Sequence, residues 1–121
     1  MSAPVITAPT AEIVAAALEQ AAALIEAGHC KGAARQILPG GKRAYCMVGA
    51  VSAATMSISA GEVIYPGFEI YRWAKAAVLS QLPAPFERMP DYNDATATTT
   101  AMVLDVLARA AEAVRSGQVT Q

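Results

Sequence analysis

A chain of 121 residues suits one domain, 1–121, long enough to bury a core without disulfides or bound metal. Nine basic and ten acidic residues leave a net charge of −1, with no basic cluster longer than Lys42-Arg43, which excludes the phosphate-binding surface that a nucleic-acid partner requires. Hydrophobic residues reach 55% but aromatic ones only 6%, so much of the apolar content is alanine, which favours close-packed helices, while 16% charge leaves a surface suited to a protein partner.

In chain order, residues 1–8 are small and Pro-containing and are expected to be flexible. They lack the basic and long apolar regions of a secretory signal, so a cytoplasmic location is expected, with Cys30 and Cys46 as reduced thiols. A first helix, capped by Thr7 or Thr10, runs to Ala27. Val14, Ala17, Leu18, Ala21 and Ile25 make its apolar stripe, and Glu12, Glu19 and Glu26 mark the wet face. Gly28 is expected to end it in the left-handed conformation.

The run 33–37, the turn Leu38-Pro39-Gly40-Gly41-Lys42 and the run 43–46 predict a short β-hairpin. A helix over 47–59 follows, uncharged around its circumference and therefore read as the central buried element that other helices surround. Its uncharged length touches that of a membrane span. Ser52, Thr55, Ser57 and Ser59, set among Ala, Val and Met, argue for a core helix instead, and no membrane contact is expected. Residues 62–65 read as a connector ended by Pro66 or Gly67. A third helix then reaches Leu82 with Ile70, Tyr71, Ala74, Ala77, Val78 and Leu82 at helical spacing.

Pro83, Pro85 and Pro90 predict a rigid, non-helical crossing that leads into the loop Asp91-Tyr92-Asn93-Asp94. Thr98 or Thr99 then caps a last helix, with Met102, Val103, Val106, Leu107, Ala110 and Val114 on its stripe and Ser116-Gly117 at its end; 117–121 should be flexible. The fold class is thus mainly α: about four helices, with a hairpin between the first two.

A helix ending in Gly, a hairpin, Cys46-x-x-Gly49-Ala50 opening a helix, and Tyr92-Asn93-Asp94 before a Thr-capped C-terminal helix form one pattern over roughly 16–113. It resembles a domain-of-unknown-function family of small actinobacterial and actinophage proteins. Members of that family favour Trp after the first Gly and in the triplet, where this chain has His29 and Tyr92. The resemblance implies a small intracellular domain, in a phage-encoded case a host-cytoplasmic one, and carries over no catalytic residue.

The candidate chemistry is sparse. His29, Cys30 and Cys46 lack the spacing of a zinc site, and sequence proximity does not make a thiol–imidazole pair, so no metal, cofactor or catalytic residue is assigned. Tyr92, Asn93 and Asp94 either recognise a polar ligand or bond the loop backbone ahead of the last helix, and the backbone role is favoured. The helix faces suffice to close a monomer. Surface left near Trp73, Phe86 and Met89 is the place for a homodimer or partner contact. The expected function is a small cytoplasmic protein-interaction module, of the phage accessory or host-modulating kind, rather than an enzyme. The alternative is a small-molecule binder or minor enzyme with a pocket between the hairpin and 91–94.

Overall fold

A computed structural model describes residues 5–121 of the chain, with the side chain of Ala60 also outside the described set. The elements in order are β1 (Val5–Ile6), α1 (Ala11–Ala27), β2 (Arg35–Ile37), β3 (Arg43–Tyr45), α2 (Met47–Ala54), β4 (Ile58–Ala60), β5 (Val63–Tyr65), α3 (Gly67–Gln81), α4 (Met89–Asp94) and α5 (Thr100–Arg115). The fold is mainly helical, with an antiparallel hairpin between the first two helices. No helix among the described residues is long and apolar enough to cross a membrane.

Most positions of the helix stripes read from spacing are buried; Met102 on the last stripe is 39% exposed instead, and Tyr71 and Leu82 on the third are half-buried. Thr10 is the N-cap of α1, its hydroxyl accepting from Ile13 N–H at 3.3 Å, and Val14, Ala17, Leu18, Ala21 and Ile25 are buried. α1 packs on α2, α3, β3 and, most extensively, α5. Thr99 caps α5 by accepting from Met102 N–H at 3.2 Å, and Val103, Val106, Leu107, Ala110 and Val114 point into the core. Alanines on both helices keep this contact close, because small side chains let ridges interlock at short axial separation. At the rim Arg115 grips Glu12 and Glu19, with N–O distances of 2.8–3.0 Å, and its hydrogen bonds hold both carboxyls below their ordinary range.

The hairpin pairs Arg35 with Tyr45 and Ile37 with Arg43, and Gly40 and Gly41 take the positive φ of its turn. Gly28 departs from the expected left-handed cap. Its φ is −175°, and α1 runs straight into extended backbone: Tyr45 N–H donates to Gly28 O, Cys30 N–H donates to Tyr45 O, and His29 bridges Tyr45 as a third, minimal strand. Glycine is required there for space, since a Cβ would lie 2.5 Å from Arg43 O.

α2 lies in the core through Met47, Ala50 and Val51, yet it ends at Ala54 rather than at residue 59, and Ser52 and Ala53 face solvent. The Thr55 hydroxyl turns back to Val51 O, and Ile58–Ala60 leaves the helix to pair antiparallel with Val63–Tyr65, the stretch expected to be a connector. Alternation of Ile58 and Ser59 and the β-branched Val63-Ile64 suit strands, and three residues suffice once a partner is present. Val5–Ile6, inside the segment expected to be flexible, adds a parallel strand to β5. Residues 1–4 of that segment lie outside the described residues.

Tyr92, Asn93 and Asp94 sit on α4 rather than in a loop. Pro90 occupies the first turn of that helix, where a missing N–H is harmless, so the proline that was expected to forbid helix starts one. At the other end, Gln118 and Val119 N–H both donate to Ala113 O, and the Trp73 indole N–H donates to Val119 O at 3.0 Å.

The steric reading of Gly28 separates two substitutions. Gly28→Ala should destabilise the protein by about 1–3 kcal/mol in urea denaturation, the usual cost of overpacking. Gly28→Asn should be no better, although asparagine tolerates left-handed backbone; rescue by asparagine would restore the left-handed explanation.

Candidate functional site

The polar centre of the fold forms where the segment after α1 meets α4 and the start of α2. Asn93 is fully buried, at 0% exposure. An amide without water must find every partner inside the protein, and this one does. Its Oδ1 accepts from Met47 N–H at 3.2 Å and from His29 Nε2 at 2.7 Å, while its Nδ2 donates to Cys30 O at 3.1 Å and to Asp94 Oδ1 at 2.8 Å. Because Oδ1 can only accept, His29 carries its proton on Nε2, and in the neutral ring Nδ1 accepts from the Thr100 hydroxyl at 2.9 Å.

The neighbours extend the same stitching. Asp94 Oδ1 also accepts from Gly32 N–H at 2.9 Å, which, ahead of the Asn93 bond and nearby Lys31 and His29, holds its carboxyl below the ordinary value. Lys31 Nζ donates to Ala95 O and Thr98 O at 2.7 and 2.8 Å, securing the approach to α5. Residues 29–32 are therefore laced to 93–100 by side chains from both sides.

The start of α2 is built into this junction. Cys46 is its N-cap, with Sγ accepting from Gly49 N–H at 3.4 Å in the place usually taken by a hydroxyl. Cys46 N–H donates to Ala34 O, which brings the 33–34 backbone across the first turn. A Cβ on residue 49 would lie 1.8 Å from that same oxygen, so only glycine fits. The spacing Cys46-x-x-Gly49 is thus a cap plus a crossing, and its second amide donor, Met47 N–H, is met by Asn93.

Cys30 and Cys46 are free, buried and packed with Ala44 in one small apolar group, where burial, then Cys46 and Asp94, push the Cys30 thiol up, against thiolate formation. The His29 ring is engaged by Asn93 and Thr100 rather than by a thiol. Among the described residues no three His, Cys, Asp or Glu side chains are grouped to hold a metal ion.

The sequence candidates are not brought together as one site. Tyr92 is buried, its phenol pushed up by burial, and meets the half-buried Phe86 edge-on with centroids 5.3 Å apart. Trp73 packs under the C-terminal tail, beside Thr120 and Gln121. Met89 is buried. A depression of about 220 Å³ does lie near the expected pocket; Gly32, Ala34, Cys46, Val48, Pro90 and Asp94 line it, but Tyr92 and Asn93 turn inward from it.

What the sequence reading missed is the outward side of α2. Met56 is 71% exposed and Phe68 66% exposed, and both line one open depression of about 460 Å³ with Ser52 and Tyr71. The signal was present in part: Phe68 lies two residues from Ile70 and so falls roughly opposite the buried stripe of α3. Met56 carried none, because its exposure follows from where α2 stops.

Two consequences are measurable. Asn93→Ala leaves Met47 N–H and Cys30 O without partners in the interior and should cost about 3 kcal/mol or more in chemical denaturation, at about 1–3 kcal/mol per orphaned group. The Asp94 carboxyl sits below its ordinary 3.8 when folded, so its contribution to stability is complete above that value and lost as pH falls through the lowered one. Asp94→Asn should therefore flatten the stability–pH curve in that acidic window; an unchanged curve would remove Asp94 from the junction's energetics.

Residues 9–113 match a family of unknown function, DUF6197. No curated protein and no solved structure gives a significant match. The matched stretch covers most of the chain and includes both the Cys46 cap and the Asn93 junction, and the chain belongs to the DUF6197 family.

Proposed function

We propose that this protein is an interaction module that binds another protein through the face α2 turns outward. The observation that carries the reading is the exposed pair Met56 and Phe68, at 71% and 66%, beside the uncharged Ser52 and Ala53. Large apolar side chains grouped on a surface, rather than scattered, mark contact sites. The buried polar cluster supports the same reading from the other side: its hydrogen-bonding groups are spent on holding the chain together, leaving no activated nucleophile or base in view. The shallow hollow beside Cys46 and Asp94 favours a small-molecule site less, since the inward turn of Tyr92 and Asn93 leaves it few convergent polar groups. In this reading the protein works in the cytoplasm, and the phage-like resemblance of its motifs suggests an accessory or host-modulating role.

A photo-crosslinking residue at Ala53, in the full chain expressed in its native host, should give a discrete protein adduct that Phe68→Ser removes. The same crosslinker at Glu112, on α5, should give none. Absence of an adduct at Ala53, or one indifferent to Phe68→Ser, would overturn the reading.

A further inference from the structure

We propose that the partner presents an acidic amphipathic segment to the groove between α2 and the α3–α4 pair. The inference rests on the interaction reading above and specifies its occupant. The Met56–Phe68 depression meets a second one, of about 300 Å³, at Tyr71, and Val48, Leu79 and Pro90 continue the apolar floor of that second depression. Together they make a groove rather than a hole, the shape that takes one face of an extended or helical segment.

Its charges choose the occupant. The Arg72 guanidinium lies 6.0 Å from the centroid of the Phe68 ring, and Lys75 and Arg88 line the second depression, where Glu87 is the only carboxylate. Among the described residues the ion pairs join Arg109 to Asp105 and Arg115 to Glu12 and Glu19; Arg72, Lys75 and Arg88 belong to none of them. A chain of net charge −1 therefore keeps Arg72, Lys75 and Arg88 outside the ion pairs of its described residues, at the rim of an exposed apolar surface. Rim charges of one sign select partners of the other and speed their encounter. A nucleic acid would find too few cations and an apolar floor. A second copy would have to bring carboxylates other than Glu12, Glu19 and Asp105, which are already bound within its own α1–α5 face.

Two labelled synthetic peptides test this, sharing one helical leucine face and carrying either glutamate or lysine at every polar position. Fluorescence anisotropy with the full chain should show the acidic peptide binding about tenfold tighter or more, with the difference shrinking as salt is raised. The double variant Lys75→Glu/Arg88→Glu should reverse the preference. Both side chains are exposed, so its far-ultraviolet circular dichroism should be unchanged. Equal binding of the two peptides, binding of neither, or amide shifts mapping to α5 instead of Tyr71 and Val48 would overturn the proposal. The crosslinked adduct separates the two levels: an adduct that needs Phe68 but survives Lys75→Glu/Arg88→Glu would sink the acidic occupant and leave the interaction module standing.

Discussion

The fold depends on one buried amide. Asn93 presents two acceptor directions and two donors at a point where a helix start, an extended strand-like segment and a short helix converge, and each of the four is used. No other small side chain supplies that set: aspartate has no donors, serine has one, and an apolar residue would orphan the backbone of Met47 and Cys30. Cost follows from burial, because a group that water cannot reach is satisfied by the protein or not at all.

That junction also explains why two short sequence patterns, separated by 46 positions at their closest hydrogen bond, belong to one structural device. Cys46 and Gly49 cap α2 and admit the Ala34 backbone; Asn93 takes the amide that the cap leaves over; Asp94 takes Gly32 N–H. Residue types that tempt a catalytic interpretation are thus spent on geometry. Cys46, His29 and Asn93 meet in space, and each has its partners within the fold: the imidazole bonds the Asn93 amide and the Thr100 hydroxyl, the Cys46 sulfur accepts from Gly49 N–H, and the Cys30 thiol donates to Ala33 O.

Legibility in the sequence followed the range of the forces involved. The stripes of α1, α3 and α5 were readable because burial of one helix face is periodic along the chain, and Pro39-Gly40-Gly41 announced its turn by local backbone chemistry. The end of α2 was not readable. Residues 55–59 are tolerable in a helix, and what draws Ile58 into a strand is pairing with Tyr65, in a sheet completed by Ile6. The same limit hid α4, whose six residues are too few to show a period and whose proline reads equally as a breaker or a starter. At the candidate site, the backbone role of Asn93 and Asp94 was readable from residue type, whereas His29 as their partner was not, because contacts between residues 29 and 93 have no local signature.

The outward face of α2 stands apart from the other helix surfaces. α1 carries Glu12, Glu19 and Glu26 toward solvent, and α5 carries Asp105, Arg109, Glu112 and Arg115. α2 presents Ser52 and Ala53, followed by Met56 beyond its end, with no charge from Cys46 to Gly61. Its inner face already provides what the core needs through Met47, Ala50 and Val51, so packing does not dictate the composition of the outer one. Solubility would favour charge there, as on the neighbouring helices. That surface departs from the rule its own fold obeys elsewhere and is flanked by large exposed apolar side chains and by cations that belong to none of the ion pairs among the described residues, and the proposed interaction role rests on this departure.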